Sequence, residues 1–314
     1  LTYSQRNTWV GETISEWEVF AAYPSTLPYQ KINSSRFLIE GQEVKRAITR
    51  DLSADRQQIY WARVPGNAVA EASTINATVI HDVTMCERKL VPGPSPTPVA
   101  DLTSIERRLC LERTPEMDFG APEFQRFLDA NDLRQHSNES VLAFGKRVHD
   151  FVAKYLTYSL NAVLDTSTVL DDINVRTGHC GTYARVVTSI FRANKIPARL
   201  HFGHWAVKHI MDSPGAAHTR TDFFVPGVGW VLCDANTPYA NDNGQFVTFN
   251  LHGPLLLPSA NWGTQKQYHL QGFFIPAVGG HGENVRATTR LQVEFLPLDS
   301  PAAAAAPAAG MPSP

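Results

Sequence analysis

Charge is scarce in this sequence: Asp, Glu, Lys and Arg supply 18% of 314 residues, against about a quarter in ordinary globular chains. No block of five or more like charges occurs, and 28 basic residues stand against 30 acidic ones. The positive field needed to track a phosphate backbone is therefore missing, and no nucleic-acid partner is expected. Also missing is any apolar run of the ~18 residues that a membrane-crossing helix needs, so no membrane span is expected. CxxC pairs and Cys/His arrays of structural-zinc spacing are absent, which leaves no expected zinc site. His201, His204 and His209 lie close together, but strand alternation scatters such residues and no acidic or thiol ligand follows at regular spacing. Neither a metal nor a cofactor is expected, and nothing in the sequence fixes an oligomeric state.

What is present is enough apolar material for a core, at 43% hydrophobic residues, so most of the chain is expected to fold. With few charges, Thr, Ser, Asn and Gln carry solubility, a balance that points to a secreted or extracytoplasmic protein. The sequence opens at Leu1 without a methionine or a signal-like segment, as a trimmed mature protein or a piece of a longer one does. Sequons stand at Asn33, Asn76 and Asn138. Four cysteines lie at 86, 110, 180 and 233. Cys86 and Cys110 flank a proline-rich stretch and admit two readings, one disulfide in an oxidising compartment or two ordinary thiols.

From Thr8 to Met85 apolar residues recur with period two, in TISEWEVF (13–20), SRFLIE (35–40), QQIYWARVP (57–65) and STINATVIHDVTM (73–85). That period and the Ile, Val, Trp and Tyr content predict strands. Residues 1–90 are thus expected to form a β domain of sandwich type. LVPGPSPTPVADL breaks the pattern with four prolines, so residues 91–102 read as a linker. The next domain is expected over 103–298. Within it, Val141, Leu142, Phe144, Val148, Phe151, Val152, Tyr155 and Leu156 trace one face of a helix with Asn138 or Ser140 as its cap. Residues 236–287 read as loop-rich, 288–298 as a last strand, and the Ala/Pro stretch 299–314 as a flexible tail.

The chemistry concentrates between 171 and 235. TYARVVTSIFRAN predicts a helix with Tyr183, Val186, Val187, Ile190 and Phe191 on its core side. Cys180 then falls in the first turn, where unpaired N–H groups and the positive dipole end favour a thiolate. HTRTDFFVPGVGWVLCDA reads as two strands joined at PGVG, which sets His218 at the start of one strand and Asp234 at the end of its neighbour. A thiol, a base and a group that orients the base form a nucleophilic constellation. His179 reads as a surface histidine and Cys233 as a packed strand residue. His204, Trp205, Arg220 and Trp230 are the candidate cleft residues.

GHCGTYARVVTSIFRANKIPAR resembles the core pattern of the transglutaminase-like superfamily, in which G-x-C opens a helix that ends before an IPAR segment. HTRTDFFVPGVGWVLCD is similar to that family's following stretch of histidine, PG-x-GW turn and aspartate. The resemblance spans residues 140–240 and assigns the nucleophile to Cys180, the histidine to His218 and the aspartate to Asp234. It implies an α+β, papain-like core, with the cysteine helix packed on an antiparallel sheet, preceded by a mainly β domain. Two departures stand out: Asn194-Lys195 replaces the family's glycine, and Arg220 replaces a frequent Trp. The implied activity is cysteine-dependent amide hydrolysis through a thioester, on a peptide or protein substrate. Protein-glutamine crosslinking, glycan-releasing amide hydrolysis like that of peptide N-glycanase, and a non-catalytic binding or assembly role are the alternatives.

Overall fold

A computed structural model describes residues 2–10, 16–44, 59–65, 72–91, 93, 99–159, 167–206, 217–252, 255–259, 263–267, 273–277 and 285–292. The expected tail at 299–314 and His209 lie outside these residues. The chain divides into two compact units. The first comprises residues 1–86, 203–217 and 244–314, and the second 87–202 and 218–243.

The chain begins with six strands, β1 (Thr2–Val10), β2 (Glu16–Ala22), β3 (Gln30–Ile39), β4 (Gln42–Glu43), β5 (Ile59–Pro65) and β6 (Ala72–Met85). There follow β7 (Arg88–Lys89), α1 (Ser104–Leu109), α2 (Pro122–Ala130), α3 (Val141–Tyr155), β8 (Thr157–Tyr158), α4 (Val169–Val175), β9 (Thr177–Gly178) and α5 (Cys180–Ala193). Then come β10 (Ala198–Trp205), β11 (Ala217–Val225), β12 (Gly229–Leu232) and β13 (Asn241–Asp242). Five strands complete the order: β14 (Phe246–Leu251), β15 (Leu255–Ser259), β16 (Gly263–Gln267), β17 (Phe273–Ala277) and β18 (Val285–Gln292).

In the first unit, one sheet has the order β18-β1-β6-β3-β4 and another β17-β2-β5. Trp17, Val19 and Ala21 of β2 and Tyr60 of β5 share a core with Phe37, Ile39, Ile75, Ala77 and Val79 of the larger sheet. This is the packing of a sandwich, two antiparallel sheets closing on one apolar layer. The other side of β2 is covered too, since Phe20 and Ala22 pack with Ile59, Val247 and Phe249. Burial on both faces explains why WEVFAA is a continuous apolar run interrupted only by Glu18. The loop-rich reading of 236–287 needs correction, because β13 to β17 lie there. Two late strands pair with the earliest: β18 along β1 and β17 along β2.

In the second unit, α3 and α5 pack together around Phe144, Val148, Val152, Tyr183, Val186, Val187, Ile190 and Phe191. Ser140 caps α3 by accepting the Ala143 N–H. Phe223, Val225, Val231 and Cys233, alternate residues of β11 and of β12 with its extension, join the same core, so that face of the sheet lies on α5. Cys110 is buried and Cys86 exposed, both as free thiols. The end of α5 answers the missing glycine. Lys195 takes φ 60, a left-handed conformation, its N–H bonds Arg192 O, and Ile196 N–H bonds Phe191 O. These are the two bonds of a Schellman ending, built on a residue whose β-carbon opposes it. Lys195→Gly should therefore stabilise the protein by about 0.5–1 kcal/mol, read from the urea midpoint.

Candidate active site

Cys180 is the first residue of α5 and is 8% exposed. The helix starts there because His179, in extended conformation, caps it: its Nδ1 accepts the Gly181 N–H at 2.9 Å. His179 is thus an N-cap and not the surface histidine that the sequence suggests. The hairpin of β11 and β12 is antiparallel, with Asp222 opposite Leu232 and Phe224 opposite Trp230. It extends by one bond beyond β12, from Cys233 N–H to Thr221 O at 2.8 Å. The same register sets Arg220 opposite Asp234 and His218 diagonal to it. From that position His218 Nε2 meets Asp234 Oδ2 at 2.7 Å, with both side chains buried.

The three residues hold one another's charge. For the Cys180 thiol, burial acts upward, but the hydrogen bond and charge of His218 and the Thr219 N–H act downward and bring the thiol to about 6. His179 Nδ1 lies 4.0 Å from the sulfur and is already accepting from Gly181. His218 is therefore the histidine that supplies the proton. For His218, burial acts downward, yet its bonds to Asp234 and Cys180 raise it to about 9. Asp234 is lowered in spite of burial by His218, by the Asn236 N–H and by the Arg220 charge. Each partner is thus shifted toward its charged form, the thiol downward and the imidazole upward, and the two titrate as a coupled pair.

Beside these three residues runs a second set of buried charges. Arg88 bonds Asp222 at 2.8 Å and Asp242 at 2.7 Å, Arg220 bonds Asp242 at 2.9 Å, and Arg199 reaches Asp222 at 3.5 Å. Burial holds neighbouring His201 down to about 4, hence neutral. Three arginines thus face two aspartates, and the charge of one of them, Arg220, also acts on Asp234, its partner position across the hairpin.

Among the candidate cleft residues, Arg220 needs correction. It is 1% exposed and bound to Asp242, so its guanidinium is structural and not at a cleft mouth. Trp230 is partly buried beneath the Arg199 guanidinium, 3.9 Å from the ring centroid. His204 and Trp205 belong to the first unit, where they pack on Phe249 and Phe246. One residue escaped the sequence reading. Tyr158 is 48% exposed, and burial followed by the charges of Cys180 and Asp234 raises its phenol. Its strand pairs with Thr177–Gly178, just ahead of the thiol. An aromatic residue two positions after an expected helix was the available signal.

Residues 130–235 match the family model of the transglutaminase-like superfamily. A protein from Cytophaga hutchinsonii provisionally described as a cysteine protease is 14% identical, with a TM-score of 0.56 over 94% of this chain and 92% of that one. The periplasmic domain of TgpA from Pseudomonas aeruginosa is 15% identical, with a TM-score of 0.38 over 73% of this chain and 74% of that one. No curated protein matches.

Two measurements test the electrostatics. An unfolded histidine titrates near ~6.5 and the folded His218 at about 9. Its contribution to stability is therefore complete below about pH 6.5 and lost as pH rises through 9. Asp234→Asn should flatten that alkaline loss in urea titrations run from about pH 6 to 10. Arg220→Met, which strips Asp242 of one buried partner, should cost about 3 kcal/mol in the same assay.

The cysteine helix α5 and the antiparallel hairpin of β11 and β12 both lie within residues 130–235, the segment that matches the transglutaminase-like core.

Proposed function

We propose that this protein is a cysteine-dependent amide hydrolase of peptide or protein substrates, with Cys180 as nucleophile, His218 as acid and base, and Asp234 as the residue that orients His218. The observation that carries this reading is the 2.7 Å His218–Asp234 bond beside a thiol held at about 6. Asp234 occupies Nε2, which leaves Nδ1 as the histidine nitrogen for the thiol.

The thiolate attacks the amide carbonyl carbon, and the electron pair moves to oxygen. The Cys180 N–H, in the first turn of α5, is the first donor to that oxyanion. As the carbon–nitrogen bond breaks, imidazolium His218 gives its proton to the leaving amine, and a thioester remains. Neutral His218 then takes a proton from water, hydroxide adds to the thioester, and the carboxylic product leaves with return of the thiolate. Burial of all three residues favours this course by keeping the ion pair unscreened. An extracytoplasmic location is part of the proposal and rests on the scarcity of charge.

The test is mass spectrometry after incubation with a mixed peptide library and a labelled primary amine. Cleaved peptides or a one-dalton gain at glutamine (~1 Da, amide to acid) are expected, and should vanish in Cys180→Ala. Asp234→Asn should lower kcat/KM by on the order of a hundredfold or more. Amine incorporation in place of hydrolysis overturns the hydrolase reading in favour of acyl transfer, and no Cys180-dependent product overturns both.

A further inference from the structure

We propose that His179 is a positioning residue, a deliberately neutral N-cap that fixes the start of α5 without placing a negative charge beside the Cys180 sulfur. The proposal rests on the reading of Cys180 as nucleophile and adds the device that keeps it a thiolate.

Most helices are capped by Ser, Thr, Asp or Asn, whose side-chain oxygen accepts an N–H of the first turn. Here the acceptor is an imidazole nitrogen, His179 Nδ1, at 2.9 Å from Gly181 N and 4.0 Å from Cys180 Sγ. A nitrogen that accepts carries no proton, so this histidine is the neutral tautomer with its hydrogen on Nε2. An aspartate in its place would cap as well, but would set a carboxylate within about 4 Å of the sulfur, where like charges oppose ionisation strongly.

The local sequence is shaped around this arrangement. A β-carbon added at Gly181 would lie 2.9 Å from His179 Cε1, and one at Gly178 would run into the Thr182 side chain. The two glycines of Gly-His-Cys-Gly thus make room, one for the capping ring and one for the turn that follows. Several further groups act on the thiol and its cap. His218 of β11 hydrogen-bonds Cys180, Tyr158 of β8 feels the charges of Cys180 and Asp234, and Tyr183 of α5 packs on Tyr158. Asp172 of α4 is paired with Arg185 at 2.6 Å. None of these supplies the missing acceptor for Gly181, so the cap itself falls to residue 179.

The test is the pH dependence of iodoacetamide alkylation at Cys180, followed by peptide mass spectrometry, with exposed Cys86 as the reference thiol in the same molecule. Alkylation needs no substrate, so a wild-type midpoint in the ordinary thiol range would count against the proposed function, while the differences between variants test the cap. His179→Asn should leave the midpoint within about 0.3 unit, and His179→Asp should raise it by about one unit or more. Both should keep the wild-type melting temperature within a few degrees, whereas His179→Ala should lower it by about 4 °C or more. An Asn variant shifted as far as the Asp variant would make His179 a charged donor to the thiolate and overturn the neutral cap. An Asp variant with an unshifted midpoint would overturn it equally.

Discussion

The pairing of β11 with β12 is the constraint on which the rest of the site depends. A tight turn at Pro226–Gly229 closes the hairpin, and its register brings residues sixteen positions apart within one hydrogen bond, His218 to Asp234. A slip of one residue would turn His218 toward the α5 core and Phe223 outward, exchanging every side chain between the two faces. The register is therefore held by what each face buries. On one side Phe223, Val225, Val231 and Cys233 enter the core with Phe191 and Ile190, and on the other Arg220 and Asp222 enter a bonded set of charges.

That charged face is costly to build, because each ion leaves water. Its arrangement limits the cost by giving Asp222 and Asp242 two or more cationic neighbours each. One of these arginines, Arg220, also acts on Asp234 and, with His218, holds its carboxyl below the ordinary value in spite of burial. An ionised Asp234 raises His218, and a charged His218 lowers Cys180. The ionisation of the thiol is thus coupled, through two intermediates, to Arg220.

Helix α5 supplies the other half of the site. Its beginning is fixed by a histidine cap and its end by a Schellman pair on Lys195. Between these two ends lies a side of the helix that is buried almost without interruption from Tyr183 to Phe191. Such a helix cannot rotate or slide without exposing apolar surface, at roughly 25 cal/mol per Å². Cys180 consequently stays where the hairpin delivers His218.

Much of this was legible in the sequence, where local chemistry decides local structure. The apolar spacing of 183–191 determined a helix, the glycine-flanked cysteine its first turn, and PGVG between two β-rich runs the hairpin. From these the order Cys180, His218, Asp234 and its resemblance to a known core followed. What the sequence did not reveal depended on partners distant in the chain. Strands β13 to β17 sit in a region that reads as loop, because short strands carry a weak periodic signal, and β17 gains its stability from β2, more than two hundred residues away. Arg220 reads as a cleft residue, and only Asp242, with Arg88 beyond it, makes its burial tolerable. His179 reads as exposed because an imidazole is a rare cap, and only the folded turn aims its nitrogen at Gly181. The sequence by itself determined the elements and the reactive residue types, since propensity and periodicity act over a few residues. The tertiary structure alone decided which charges are buried and what neutralises them, since Coulomb energies and desolvation depend on distances that exist only after the chain has closed.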